Sequence, residues 1–378
     1  YNAALNVDIA AAQLKGAKLS YFPSVALAPN GAGASYGGGK MNWSYTIPVS
    51  ISWEVDIFGK LLNRKRGAQM SYEQAQETRD MVQSRIVCGV ASTYYALVML
   101  NQQLDLTKRT SQIWSEQVES MKLMKEAGMV TQAAVVQSEA NYYSILASIP
   151  ELEESIHTTQ NALSLLLNTY PQQWSVTSSL DFELPENLID GLPVSYIAAR
   201  PDVRSAERSF AAAYYATAQA RANFYPSLVI SPQGGFTNLM GAIVNPGKWF
   251  VQLAGQLTAP LFSRGQNIAT LRAAKASQQI ALNNFQYAVL NASGEVSDAL
   301  VKYRKNHEKR INVLKQVDAL EKSVEYTEEL LSFGQSTTYL EVLTARSGLL
   351  QAQLSALACW HNKVTAIIEL YQAVGGGR

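Results

Sequence analysis

The stretch "SYTIPVSISWEVDIF", residues 44–58, sets Tyr45, Ile47, Val49, Ile51, Trp53, Val55 and Ile57 against Thr46, Pro48, Ser50, Ser52, Glu54 and Asp56. Alternation with period two is the side-chain geometry of a β-strand, and this one outruns the usual five or six residues. One face is greasy throughout. Such a strand suits either of two environments: a sheet packed on a core, or a membrane barrel with lipid outside and a polar lumen inside.

Moved along the chain by 204 residues, the pattern recurs in phase, with Trp249, Val251, Leu253, Gly255, Leu257, Ala259 and Leu261 alternating with Lys248, Phe250, Gln252, Ala254, Gln256, Thr258 and Pro260. Upstream, "YFPSVALAP" from Tyr21 matches "FYPSLVISP" from Phe224; downstream, "KEAGMVT" around Gly128 matches "SFGQSTT" around Gly334. The chain is therefore two tandem copies of one design, residues 1–168 and 195–378, joined by a Pro- and Gly-bearing linker at 169–194. In each copy a Gly-rich connection, "NGAGASYGGGKMN" or "QGGFTNLMGAIVNPGK", separates two strand segments, which predicts hairpins with strands at about 21–36 and 43–58, and about 224–237 and 247–262.

After each second strand the chain loses proline, with none from Val49 to Ile149 and none from Leu261 to Arg378. Stretches rich in Ala, Gln, Glu, Lys and Leu without proline are helix-forming. Helices from Gly59 to Gly128 and from Gly265 to Gly334 would each run about 70 residues, or roughly 105 Å at 1.5 Å per residue. The spacing of Val313, Val317, Leu320, Val324, Thr327 and Leu331 is that of a coiled-coil seam, and Leu97, Leu100, Leu104, Trp114, Val118 and Met121 form a similar stripe. Gly128 and Gly334 then end the rods as C-caps, and helices of about 40 residues return beside them. The segments Ala3–Leu19 and Pro201–Phe224 read as shorter helices that complete the rods, while Pro150 is expected to kink or restart its helix.

Composition narrows the function. A formal net charge of +1 over 378 residues makes no general electrostatic case for nucleic acid, and no apolar run approaches the ~20 residues of a spanning helix. Membrane contact would have to be β. Cys88 and Cys359 form no CxxC pair and read as small buried helix residues; His157, His307 and His361 lack a second ligand at metal spacing. With no nucleophile elbow, P-loop or dinucleotide fingerprint in context, neither an enzyme nor a cofactor is expected. "NRKR" at 63–66 reads as a solvated helix face, or else as a contact with lipid headgroups or a partner. The chain begins at Tyr1 without a methionine or signal pattern, which suggests a processed or trimmed form.

Four strands with a lipid-compatible face cannot stand alone in a bilayer, because an open sheet leaves unpaired N–H and C=O groups in hydrocarbon at several kcal/mol each. Closure must come between chains. About eight strands make a barrel filled by its own side chains, so a dimer would be plugged and a trimer of twelve strands would hold a lumen.

At this point the sequence resembles the TolC family of outer-membrane efflux proteins. The resemblance rests on the duplicated strand–strand–helix–helix plan, on "YFPS" and "FYPS", on "VDIFGKLLN" and "APLFSRGQN", and on "ARPDVRSAE", "TTYLEVLTARSGLLQAQL" and the closing "LYQAVGGG". The "ARPDVRSAE" version is most similar to members that serve proton-driven RND pumps. The resemblance implies a mainly helical protein with a β-barrel part: a homotrimer with a 12-stranded barrel and an α-helical periplasmic tunnel.

What it implies for function is a passive outer-membrane exit duct of a tripartite efflux system, exporting drugs or other small toxic compounds, metals among them. Its expected partners are a periplasmic adaptor, an inner-membrane RND transporter and outer-membrane lipid; a lipid on an N-terminal cysteine upstream is implied as well. Adaptor docking falls on the tips at Gly128, Met129, Gly334 and Gln335. The periplasmic constriction falls on Leu340, Thr344 and Ser347, with Glu341 as its acidic candidate, since Thr344 stands where many relatives carry an acid. Lipid would meet Tyr45, Ile47, Val49, Ile51, Trp53, Val55, Trp249, Val251, Leu253 and Leu257. Two other readings remain at this stage: a soluble coiled-coil scaffold with small β caps, and the outer-membrane duct of a type I protein secretion system.

Overall fold

A computed structural model of the chain describes residues 1–35, 37–177, 194–238, 248–332 and 339–376. Its elements follow in order: α1 (Asn2–Leu19), β1 (Ser24–Leu27), β2 (Asn30–Ala34), β3 (Asn42–Val55), α2 (Lys60–Glu126), α3 (Gln132–Leu166), α4 (Val194–Ala199), α5 (Pro201–Ala222), β4 (Ser227–Thr237), β5 (Lys248–Thr258), α6 (Gln266–Ser332) and α7 (Tyr339–Ala373). The duplication is visible in lengths alone: α2 and α6 each have 67 residues, and α3 and α7 each have 35. None of the described helices is long and apolar enough to cross a membrane.

Two compact units cut across the repeats, one made of residues 1–81 and 201–290, the other of 82–200 and 291–378. The first unit holds the sheet. Its strands run antiparallel in the order β1-β3-β4-β5, with β2 also on β3. The strand expected over 21–36 appears as two pieces because Pro29 has no N–H for the ladder, yet Leu27↔Val49 and Asn30↔Thr46 keep one register across the break. The long strand stops at Val55, short of residue 58, because Asp56 turns to the helix that follows. Its carboxylate accepts the Leu61 and Leu62 N–H groups at 3.0 and 2.7 Å, covering two of the donors that every helix start exposes.

Helix α5 is fastened to α2 within this unit by Arg204–Glu77 (2.8 Å), Arg208–Glu73 (3.1 Å) and a Thr78–Ser205 hydroxyl pair (3.2 Å). Thr217 bridges α5 to α6 by donating to the Ala274 carbonyl.

The second unit is helical. The seam residues Leu97, Trp114, Val118 and Met121 are buried, as their spacing predicts. Trp114, Met121, Val135, Tyr339 and Leu343 form one core cluster, and Val98, Trp360 and Val364 another. Arg200, itself buried, donates to the Ala373 carbonyl and pairs with Glu295, tying the C-terminus of α7 to α6. Cys88 and Cys359 are buried and free. Pro150 does not restart its helix: α3 runs unbroken from Gln132 to Leu166.

Candidate functional site

The register of the sheet decides which side chains share a face, because directly opposed residues point the same way. Val55 lies opposite Leu228, which lies opposite Leu257; Ile47 lies opposite Phe236, and Phe236 opposite Trp249. On the other flank Ile51 pairs with Val25 and Val49 with Leu27. All ten residues assigned from the sequence to the apolar face, Tyr45, Ile47, Val49, Ile51, Trp53, Val55, Trp249, Val251, Leu253 and Leu257, thus lie on one face, and among the described residues no helix of the first unit covers it. Trp249, Val251 and Leu253 are about three-quarters exposed (74–76%).

The opposite face is polar. There Thr46 meets Thr237 at 3.1 Å and Gln233 donates to Gln252 at 2.8 Å. Sequence reading missed that Val25, Leu27, Leu228, Ile230 and Phe236 extend the apolar face. In their strands Pro29, Pro232, Gly234 and Gly235 break the alternation, and only pairing with β3 restores it. A Cβ at Gly33 would meet the Trp43 ring at 3.1 Å, so the glycine leaves room for an indole lying across the strand.

At the far end of α2 the chain turns back on itself. Gly128 donates to the Lys125 carbonyl and Met129 to the Met124 carbonyl, both at 2.9 Å, with Gly128 at φ +76°. This is the paired-bond C-cap that requires a left-handed residue, which glycine supplies without steric cost. Thr131 then caps α3, its hydroxyl accepting the Ala134 N–H. Met129 is 74% exposed, whereas Val130 packs against the Trp114 cluster. Gly334 and Gln335 lie outside the described residues.

Helix α7 has two sharply different sides near its start. Tyr339, Val342, Leu343 and Ala345 are buried, while Leu340, Glu341, Thr344 and Ser347 are exposed, the spacing of one helical stripe. A buried hydrogen bond holds the stripe in place: Ser138 Oγ–H on α3 donates to the Tyr339 phenol oxygen at 3.1 Å. Burial raises the Tyr339 pKa above its usual value, opposed by the hydrogen bonds from Ser138 and Gln117. Farther along, Arg346 pairs with Glu328 of α6 at 2.6 Å. Among the described residues, no three His, Cys, Asp or Glu side chains come together as a metal site.

With these surfaces in view, similarity to known proteins is informative. The chain is 26% identical over 387 residues to the cation efflux system protein CusC of Escherichia coli, covering 99% of this chain and 83% of CusC. It is equally 26% identical, over 390 residues, to the toluene efflux pump outer membrane protein TtgC of Pseudomonas putida, covering 99% and 79%. Among solved structures, that of the outer membrane protein VceC from Vibrio cholerae shares the fold, with a TM-score of 0.92 at 20% identity over 99% of this chain and 92% of VceC. A family model described as outer membrane efflux protein matches residues 1–169 and 192–376, and the chain belongs to that family.

Proposed function

We propose that this member of a family of outer-membrane efflux channels, which carries out transport and no catalysis, is the passive exit duct of a tripartite pump, built as a homotrimer. The observation that carries the proposal is the sheet. It offers four strand positions, one continuous exposed apolar face, and unpaired edges on β1/β2 and on β5. In lipid those edges must be paired, and three copies pairing β5 with the next chain's β1/β2 make twelve strands around a polar lumen. A soluble scaffold would need a layer over the apolar face. The native mass of the detergent-purified protein tests the reading directly: a trimer is expected, and a stable monomer would overturn it.

The remaining surfaces take their roles within that duct. The exposed stripe Leu340, Glu341, Thr344 and Ser347 lines the narrow end of the tunnel, and the tip at Gly128 and Met129, with its repeat at Gly334 and Gln335, receives the adaptor. Three chains would present six such turns in a ring. An ideal Cβ at Gly128 meets no atom within 4 Å, so Gly128→Trp adds bulk outward and disturbs only the cap. We expect this variant to form membrane-inserted trimer at wild-type level while failing to support efflux, read as drug or metal susceptibility in cells carrying the cognate pump. Normal efflux would remove the tip from the docking surface.

The names of CusC and TtgC point to very different cargoes, a cation and toluene, on chains equally similar to this one. A wide water-filled duct takes its cargo from the transporter upstream, so the substrate class proposed here stays as broad as small toxic compounds. A lipid anchor upstream of Tyr1 belongs to the same reading.

A further inference from the structure

The net charge of +1 conceals a division. The sheet-bearing unit carries fifteen Lys and Arg against eight Asp and Glu, a net of +7; the helical unit carries sixteen against twenty-two, a net of −6. From Arg208 to Gly294 there is no acidic residue at all.

Within the first unit the cations gather at one end of the sheet. The strand ends Ser24, Val55, Ser227 and Thr258 all lead to helices, whereas the opposite ends lead to the Gly-rich connections. Lys18 stands six residues before Ser24, Arg221 six before Ser227 and Arg264 six after Thr258, while Arg64, Lys65 and Arg66 lie in the first two turns of α2; all six are exposed. The nearby carboxylates are already engaged, Glu54 with Lys60 at 2.8 Å and Asp56 with backbone N–H groups of α2.

Helix stability alone accounts for Lys18 and Arg221, which sit at helix C-termini where cations are favoured. It does not account for the others, of which Lys65 and Arg66 lie over the Tyr21 and Tyr215 rings at 5.9 Å while remaining exposed. Neither α2 nor α6 has an acid in its first turn, and Arg64, Lys65 and Arg66 follow Lys60 in the second turn of α2, where no helix-end effect favours a cation. Between this belt and the apolar face come ring side chains: Phe58 stacked on Tyr225 at 4.9 Å, and Phe22, which is 68% exposed. Apolar band, aromatic rim and cations in that order match the profile of a bilayer leaflet from acyl chain to phosphate.

Resting on the duct reading, we infer that these six residues form a collar that binds anionic phospholipid headgroups of the leaflet nearest the helices. Charge complementarity and continuity with the apolar face select that occupant. Each near-surface cation favours an anionic lipid about fivefold, weakened by salt.

The test reconstitutes wild-type protein, a K18Q/R64Q/K65Q/R66Q/R221Q/R264Q variant and a R64Q/K65Q/R66Q variant in nanodiscs of phosphatidylethanolamine with one quarter phosphatidylglycerol. Lipids retained after release are counted by native mass spectrometry. Wild type should retain phosphatidylglycerol and phosphatidylethanolamine in a ratio at least about fivefold above the bulk ratio of the two lipids, the six-site variant should return to the bulk ratio, and the three-site variant should fall between them. Wild-type enrichment should also shrink as salt is raised. Retention of the two lipids in their bulk ratio by the wild-type trimer overturns the collar and leaves the duct standing. Enrichment unchanged in the three-site variant also overturns it, even if the six-site variant does not assemble. Failure of the wild type to form trimer would instead overturn the duct.

Discussion

The return helices α3 and α7 match in length and differ in packing. Each has 35 residues and follows a 67-residue helix. Yet α3 buries only Val135, Ser138, Leu163 and Ser164, whereas α7 buries twelve residues, Trp360 and Lys363 among them. Helix α7 therefore buries three times as many residues as α3. The repeat keeps helix length, which depends on propensity. It does not preserve packing, which depends on what each copy touches.

The comparison can be broken most directly at one matched position. Trp360 is the residue 21 places after the start of α7, and Glu153 stands 21 places after the start of α3. Trp360 is 4% exposed, packs on Val98 and Val364 and meets the Tyr95 ring edge-on, while Glu153 makes an exposed ion pair with Lys108. Trp360→Ala should cost about 3–5 kcal/mol through lost burial and a cavity, and Glu153→Ala no more than about 0.5 kcal/mol. Denaturant unfolding followed by helical circular dichroism measures both. Similar losses at the two sites would mean that the helices are not differently packed.

The sheet halves should behave in the opposite way, as equals. Val49 in β3 and Leu253 in β5 are 204 residues apart, the repeat spacing, and both lie mid-strand on the apolar face. Arginine at either should reduce heat-resistant trimer in membranes to a similar degree, by about 2–4 kcal/mol if the site lies near the bilayer midplane. Ser50→Arg, one residue from Val49 but on the polar face, should leave assembly nearly intact. A wide gap between Val49→Arg and Leu253→Arg would show that the two hairpins sit at different depths.

The reach of the sequence follows the range of the interactions involved. The second strands were legible because β3 and β5 alternate cleanly, and the long helices because proline vanishes where they run. Gly128 announced its turn through the need for a left-handed residue. The first strands were harder, since Pro29, Pro232, Gly234 and Gly235 disrupt the alternation that pairing later restores. Least legible was the burial of α7: Ser138 and Tyr339 are 201 residues apart, and neither the hydroxyl nor the phenol signals its partner. The helix is not restarted at Pro150 for a related reason, since packing can hold a helix through a residue that disfavours it. The charge division was present in the sequence, but a whole-chain total hides it until the fold says which segments belong together.

A smaller effect sharpens the contrast between the return helices through pH. His361 follows Trp360 on α7 and is half-buried, while Glu154, at the matched place on α3, is exposed. Burial first, and the Lys302 ammonium second, hold the His361 imidazole below its ordinary value of 6.5. Lys302 is itself paired with Glu369 at 2.7 Å, which fixes its charge beside the ring. A depressed folded-state pKa means that the neutral ring is the form the fold prefers. The contribution to stability is therefore complete above pH 6.5, where the ring is neutral folded or unfolded. As pH falls below that value the unfolded chain takes up the proton first, and stability drains away until the folded-state pKa is passed. Thermal unfolding of the helices between pH 7.5 and 5 should accordingly show an apparent Tm that falls with acid, and His361→Gln should flatten the part of that slope below pH 6.5. Lys302→Gln should flatten it less, because it removes the lesser of the two causes and leaves the burial. Parallel slopes for wild type and His361→Gln would show that this face of α7 is open to water, and the asymmetry between the return helices would then be confined to the stretch around Trp360.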